Sequence, residues 1–128
     1  EENVVAEIFE NNGVDYRTEV YSSEWVEMTK ALGDDEKRFD FVIETPQKIY
    51  LIEVNFYSGG GSKLNEVARA YSDIAPKINA VDGFEFVWIT DGIGWKSARG
   101  NLRETFEVMK HIYSIDDMEN NIMKKIFV

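Results

Sequence analysis

Residues 38–63 read RFDFVIETPQKIYLIEVNFYSGGGSK, and this stretch restricts the fold more than any other. Two apolar runs flank a short polar turn. Each run carries an acid where an apolar residue would be buried more easily: Asp40 inside Phe39–Asp40–Phe41–Val42–Ile43, and Glu53 directly after Ile49–Tyr50–Leu51–Ile52. An ionised carboxylate among apolar neighbours costs several kcal/mol unless it is paired or bound to a metal. Thr45–Pro46–Gln47–Lys48 between the runs suits a turn, because proline is excluded from a central strand, and it is short enough to close an antiparallel hairpin. The acids lie 13 positions apart about that turn, so they fall roughly opposite each other, where cross-strand Cβ atoms are about 4.5–5.5 Å apart. Two carboxylates so placed can share a hard divalent cation, and such a site could position and activate a water for in-line attack on a phosphodiester. Strand alternation puts Asn55 on the face of Glu53.

The 128 residues, 44% hydrophobic and 13% aromatic, predict one folded domain over 1–128 with a core of its own. No apolar run approaches the roughly 18 residues of a membrane span, and no basic-then-apolar leader is present. Without cysteine, disulfides and thiolate zinc sites are excluded. The expectation is a cytoplasmic protein with no membrane contact. Because the chain opens on Glu1 and not Met, a processed product or an excised domain is expected. The net charge of −10 argues at face value against a nucleic-acid partner. Its distribution softens that: residues 1–55 carry 5 Lys/Arg against 14 Asp/Glu, whereas residues 56–103 carry 6 against 5.

Apolar spacing predicts a helix from Glu2 to Asn11, stopped at Gly13, then a strand over Val14–Tyr21 and a short helix from a Ser23 cap to Leu32. Strands follow at Arg38–Glu44 and Ile49–Asn55. A helix from an N-cap at Ser62 presents Leu64, Val67, Ala68, Tyr71, Ile74, Ala75 and Ile78 on one face, with Pro76 kinking or tightening its end. Phe84–Ile89 reads as a strand covered on both faces. A helix is predicted over Leu102–Tyr113 and another, capped by Asp116, from Asp117 to about Ile126. The order helix, strand, strand, strand, helix, strand, helix makes an α/β domain with a mixed central sheet and a right-handed crossover.

Asp40 followed by Glu53–Val54–Asn55, within that element order, resembles the PD-(D/E)xK nuclease core. The segments RFDFVI, YLIEVNFYSGGGSKLNE, VWITDGIGW and NLRETFE resemble, more specifically, the catalytic region of the DpnII/MboI family of type II restriction endonucleases, over about Glu2 to Asn121. The resemblance implies a restriction-endonuclease-like fold and Mg²⁺-dependent cleavage of duplex DNA at unmethylated GATC, before the G, leaving a four-base 5′ overhang; Mn²⁺ is the alternative ion. It implies metal binding by Asp40 and Glu53. It also implies a homodimer on the palindrome and a cognate methyltransferase in the same system. Glu2 matches an acid often found on the first helix. Asn55 stands where the wider superfamily usually has lysine, so either Lys63 supplies that charge or Asn55 only orients the water. Family members also carry a long upstream region that this sequence does not include.

For DNA contact the candidates are Ser58, Gly59, Gly60, Gly61, Ser62, Lys63, Asn65, Arg69, Trp95, Lys96 and Arg99, with Lys77 and Arg103 as further phosphate ligands. Glycines allow backbone N–H groups close to phosphate, and the helix N-terminus behind them favours anions. The run lacks the spacing of a P-loop. Bland roles compete: Asp40 paired to Arg38 or Lys48, Asn55 ending its strand, Lys63 solvated, Trp95 packed, Trp88 in the core and His111 structural. A second class of function is a non-catalytic DNA-binding or assembly module, and a third a structure-directed nuclease on the same fold.

Overall fold

A computed structural model describes residues 2–57, 61–92 and 103–127. In chain order the elements are α1 (Glu2–Asn11), β1 (Arg17–Tyr21), a 3₁₀ turn (Ser22–Glu24), α2 (Val26–Leu32), β2 (Arg38–Glu44), β3 (Ile49–Tyr57), α3 (Gly61–Asn79), β4 (Phe84–Gly92), α4 (Arg103–Val108) and β5 (His111–Tyr113). Beyond them α5 (Ile115–Asp117) runs through a π-helical turn (Met118–Ile122) into α6 (Met123–Ile126).

The five strands form one mixed sheet in chain order. β1–β2 and β2–β3 are antiparallel, while β3–β4 and β4–β5 are parallel. The hairpin and mixed sheet agree with the α/β restriction-endonuclease-like expectation. Its turn is closed by Thr45, which donates its backbone N–H to the Lys48 carbonyl at 2.8 Å and accepts the Lys48 N–H on its hydroxyl at 3.0 Å.

Alternation sorts the apolar residues onto two faces. One packs Leu51, Phe86 and Trp88 under Leu64, Ala68, Tyr71 and Ala75 of α3, with Met28 of α2. The other packs Phe41, Ile43, Ile52 and Val54 under Val5 and Phe9 of α1, with Met118 and Ile126. Burying both faces supplies most of the stabilisation, at about 25 cal/mol per Å² of apolar surface. The parallel β3–β4 pair is covered on both sides, and this explains why Phe84–Ile89 reads as a near-continuous apolar run.

The alternation slips once, at Asp40. Phe39 and Phe41 should share a face, yet Phe39 packs with the α3 side and Phe41 with the α1 side. On β1 the residue between the Thr18–Phe41 and Val20–Phe39 pairs is Glu19, with a φ of 51°. A positive φ at a non-glycine residue is uncommon and marks a local irregularity. The registered β2–β3 pairing stops at Phe41–Ile52. Beyond it the Asp40 carboxylate itself accepts the Val54 N–H at 2.9 Å.

Four sequence expectations are corrected. The predicted helix over Leu102–Tyr113 ends at Val108, and His111–Tyr113 instead adds a parallel strand beside Val87–Ile89. The buried backbone of β4 needs hydrogen-bond partners on its outer side, and that demand overrides the helical spacing. The first strand begins at Arg17, not Val14. The cap ahead of the C-terminal segment is Ser114, in a reciprocal capping box with Asp117, and not Asp116. Finally, α2 begins at Val26 behind a 3₁₀ turn that holds Ser23, and α3 begins at Gly61, so neither Ser23 nor Ser62 precedes its helix as a cap.

Candidate active site

The β2–β3 register, extended one step past Phe41–Ile52, sets Asp40 opposite Glu53. Glu53 is 5% exposed and Asp40 half-buried. Their carboxyl groups are in hydrogen-bonding contact. Burial, then the hydrogen bond and the charge of Glu53, push the Asp40 carboxyl up to about 6 against the opposing Val54 N–H. A proton is therefore held where two like charges crowd each other. Glu2, exposed at the start of α1, touches the same group: its hydrogen bond with Asp40 is the main cause that raises its own carboxyl above the ordinary value.

Lys37 was not anticipated from sequence. Its ammonium is ion-paired to Glu53 and lies 5.6 Å from the centroid of the Tyr71 ring. Lys37 and Glu53 lie 16 positions apart, and no local pattern announces the contact.

Asn55 lies on the α3 side of β3, as alternation requires. Its Oδ1 accepts from the Tyr71 hydroxyl at 2.9 Å and from the Trp88 indole N–H at 3.1 Å. The indole N–H can only donate, so it fixes which way the amide points. With Oδ1 engaged twice, the NH₂ group is the end of Asn55 turned away from Trp88 and Tyr71. Trp88 is a core residue, as expected, at 0% exposure. It also orients the Asn55 amide, a contact invisible in the sequence because Asn55 lies 33 positions away. Beside Asn55 in the β3–β4 register is Thr90, whose buried hydroxyl has no hydrogen-bond partner among the described residues.

Of the DNA-contact candidates, Gly61 and Ser62 open α3, Lys63 is exposed in its first turn and Arg69 is exposed further along it. Asn65 is half-buried, with its Oδ1 lacking a hydrogen-bond partner among the described residues. Lys77 is engaged with Asp73 at 3.2 Å. Ser58, Gly59, Gly60, Trp95, Lys96 and Arg99 lie outside the described residues. His111 contacts Glu85 at 2.5 Å, on the face of the sheet opposite Glu53. Among the described residues no helix is long and apolar enough to cross a membrane.

Among the described residues no three His, Cys, Asp or Glu side chains gather as a ready-made metal cage. The donor set is instead an acid pair. That suits Mg²⁺, which binds through one or two carboxylates and keeps several waters or phosphate oxygens. The pair also carries the crowding that a divalent charge relieves, so the residues present fit such an ion.

A mixed five-stranded sheet between helices, with an acid pair meeting across an inner hairpin, defines a restriction-endonuclease-like α/β domain. The family model described as "DpnII restriction endonuclease" matches residues 1–125. The chain is 50% identical over 125 residues to type II restriction enzyme DpnII of Streptococcus pneumoniae, covering 98% of this chain and 42% of that enzyme. It is 50% identical over 108 residues to type II restriction enzyme MboI of Moraxella bovis, covering 84% and 38%. A third relative, type II restriction enzyme MjaIII of Methanocaldococcus jannaschii, is 40% identical over 98 residues, covering 74% and 34%. The chain belongs to the DpnII restriction endonuclease family. It spans about two-fifths of the length of these relatives.

Proposed function

We propose that this chain is the catalytic core of a type II restriction endonuclease, a site-specific deoxyribonuclease that hydrolyses duplex DNA at unmethylated GATC with Mg²⁺. The observation that carries the reading is the Asp40–Glu53 contact, an acid pair in which burial and like charge raise the Asp40 carboxyl to about 6. Family membership supplies the nuclease class, and the resemblance supplies GATC, the methylation sensitivity and the ion.

Asp40 and Glu53 would hold the cation, with Glu2 touching Asp40 from α1. When bound, such an ion neutralises phosphate charge and lowers the pKa of its water. The rest falls to the chain. Asn55 has its carbonyl locked by Trp88 and Tyr71, so it offers N–H to the attacking water or a phosphate oxygen. It serves as a donor that orients, not as a base. The buried Thr90 hydroxyl beside it, without a hydrogen-bond partner among the described residues, is another polar group suited to ordered water. Lys63 and Arg69 present charge from α3 to the DNA backbone. The palindrome favours a homodimer, in which each copy cuts one strand. A methyltransferase protecting the same sequence belongs to such a system, and the expected compartment is the cytoplasm.

The test is an end-mapped digest of methylated and unmethylated plasmid with Mg²⁺. The expected result is discrete fragments from unmethylated DNA alone, cut before the G of GATC. Intact plasmid under all conditions, with a gel shift in Ca²⁺, would mark a DNA-binding module instead. Cleavage of branched DNA regardless of GATC would mark a structure-directed nuclease.

A further inference from the structure

We propose that Lys37 is a positioning residue of the cleft, acting through Glu53 to set the net charge of the metal site. The inference rests on the proposed nuclease reading.

Three observations place it. The Lys37 ammonium pairs with Glu53, and among the described residues neither acid of the pair has another ion-pair partner. Its backbone is clamped on both sides by buried Ser22: the Ser22 N–H donates to the Lys37 carbonyl at 2.7 Å, and the Lys37 N–H donates to the Ser22 hydroxyl at 2.9 Å. The side chain thus leaves a fixed point at the head of β2 and crosses to β3. There it lies over the ring of Tyr71, the residue that holds Asn55. Cation, acid and amide are linked through one aromatic ring.

Charge balance gives the link its purpose. Two ionised acids carry −2. With a divalent ion alone the pair would be neutral, and Glu2 beside Asp40 would weaken the hold on a phosphodiester further. Asn55 brings no charge. Lys37 supplies the positive charge that the acid pair and a divalent ion lack between them, and it offsets the further acid Glu2 beside Asp40. The same cation works against metal entry, because it repels the ion and occupies an oxygen of Glu53.

Removing it therefore moves two quantities in opposite directions. In Lys37→Met, Mn²⁺ should bind the DNA-free protein about 10-fold or more tightly, because a unit positive charge a few ångströms away is gone. Single-turnover cleavage should slow about 100-fold, the scale of losing one charge-stabilising group. Lys37→Arg should keep both quantities near wild type. The measurements are Mn²⁺ titration followed by electron paramagnetic resonance, without DNA, and single-turnover digestion at saturating metal. Weaker or unchanged Mn²⁺ binding in Lys37→Met would overturn the proposal, as would unchanged cleavage. If Lys37→Met does not fold, Lys37→Gln takes its place with the same two expected directions. Failure of the wild type to cut DNA would defeat the proposed function. The Mn²⁺ titration would then still decide whether Lys37 governs the charge of the acid pair.

Discussion

Glu53 on β3 and Glu85 on β4 are the buried acids among the described residues, 5% and 7% exposed, and each is ion-paired to a lysine. Their surroundings differ in sign. Glu85 lies on the α1 side of the sheet, between Lys48 and His111, and His111 Nδ1 shares a further hydrogen bond with the Tyr113 hydroxyl at 2.7 Å. Burial alone would raise the Glu85 carboxyl, but hydrogen bonds from Lys48 and His111 outweigh it and hold the group below its usual range. Glu53 lies on the α3 side with one lysine and a second acid, and the surplus appears on Asp40, pushed up to about 6. An acid that costs energy to bury does not by itself mark a site. An acid whose hydrogen-bond donors outweigh its burial is structure, and an acid pair short of such partners is a place for a cation. The Glu85 cluster borders a cavity of about 410 Å³ that also meets Gln47 and Lys125, yet its polar groups already satisfy one another.

The sharpest way to break this contrast is to remove each acid in turn. Glu53→Ala and Asp40→Ala should lower cleavage at least about 1,000-fold while the fold survives, because each removes a proposed ligand for the ion. Glu85→Ala should cut within about 10-fold of wild type. Equal losses from Glu53→Ala and Glu85→Ala, measured in single-turnover digests, would erase the distinction.

Stability should move the other way. Glu85→Ala strands Lys48 and His111, and breaking a buried pair costs about 3–5 kcal/mol, reduced to about 2–3 here because the Lys48 side chain is 41% exposed. Asp40→Asn keeps an acceptor for the Val54 N–H and removes a crowded charge. Without metal at pH 7 it should stabilise the fold by about 1 kcal/mol, discounted for partial exposure. The pH dependence follows in sign. A carboxyl raised in the folded state favours folding below its ordinary value of roughly 4, and that benefit disappears as pH rises through its folded value near 6. Metal-free wild type should therefore lose stability relative to Asp40→Asn across that window in urea unfolding. For Glu85, lowered in the folded state, the benefit is present above its ordinary value and lost as pH falls.

A smaller effect tests the third position. Asn55→Lys installs the residue usual in the wider superfamily, but removes the Asn55 oxygen that accepts from the Trp88 N–H and the Tyr71 hydroxyl. It should cost about 1–3 kcal/mol and give no gain in rate. A faster enzyme would show that Asn55 is merely a missing lysine.

These contrasts also divide what was legible from what was not. Asp40, Glu53 and Asn55 could be read because a hairpin's register follows from its turn, and period-two alternation then assigns faces. The helix behind the glycines and the doubly covered β4 followed from local pattern as well. Lys37, Tyr71 and Trp88 could not be read as site residues: each meets its partner across 16 or more positions, by packing that no spacing encodes. The slip at Asp40 was hidden for the same reason, since Glu19 opposite it carries no glycine to announce a positive φ. β5 was misread because Met109 and Tyr113 satisfy helical spacing, while its strand state is set by the exposed edge of β4.

If the Asp40–Glu53 pair is short of positive charge and is completed by a divalent ion, the Asp40 carboxyl itself should report both facts. Carbon-detected NMR titration of that group, with and without Mg²⁺, should give a midpoint near 6 in the metal-free protein, falling below the ordinary value of roughly 4 when Mg²⁺ is present. A midpoint already near 4 without metal, and unmoved by Mg²⁺, would contradict both.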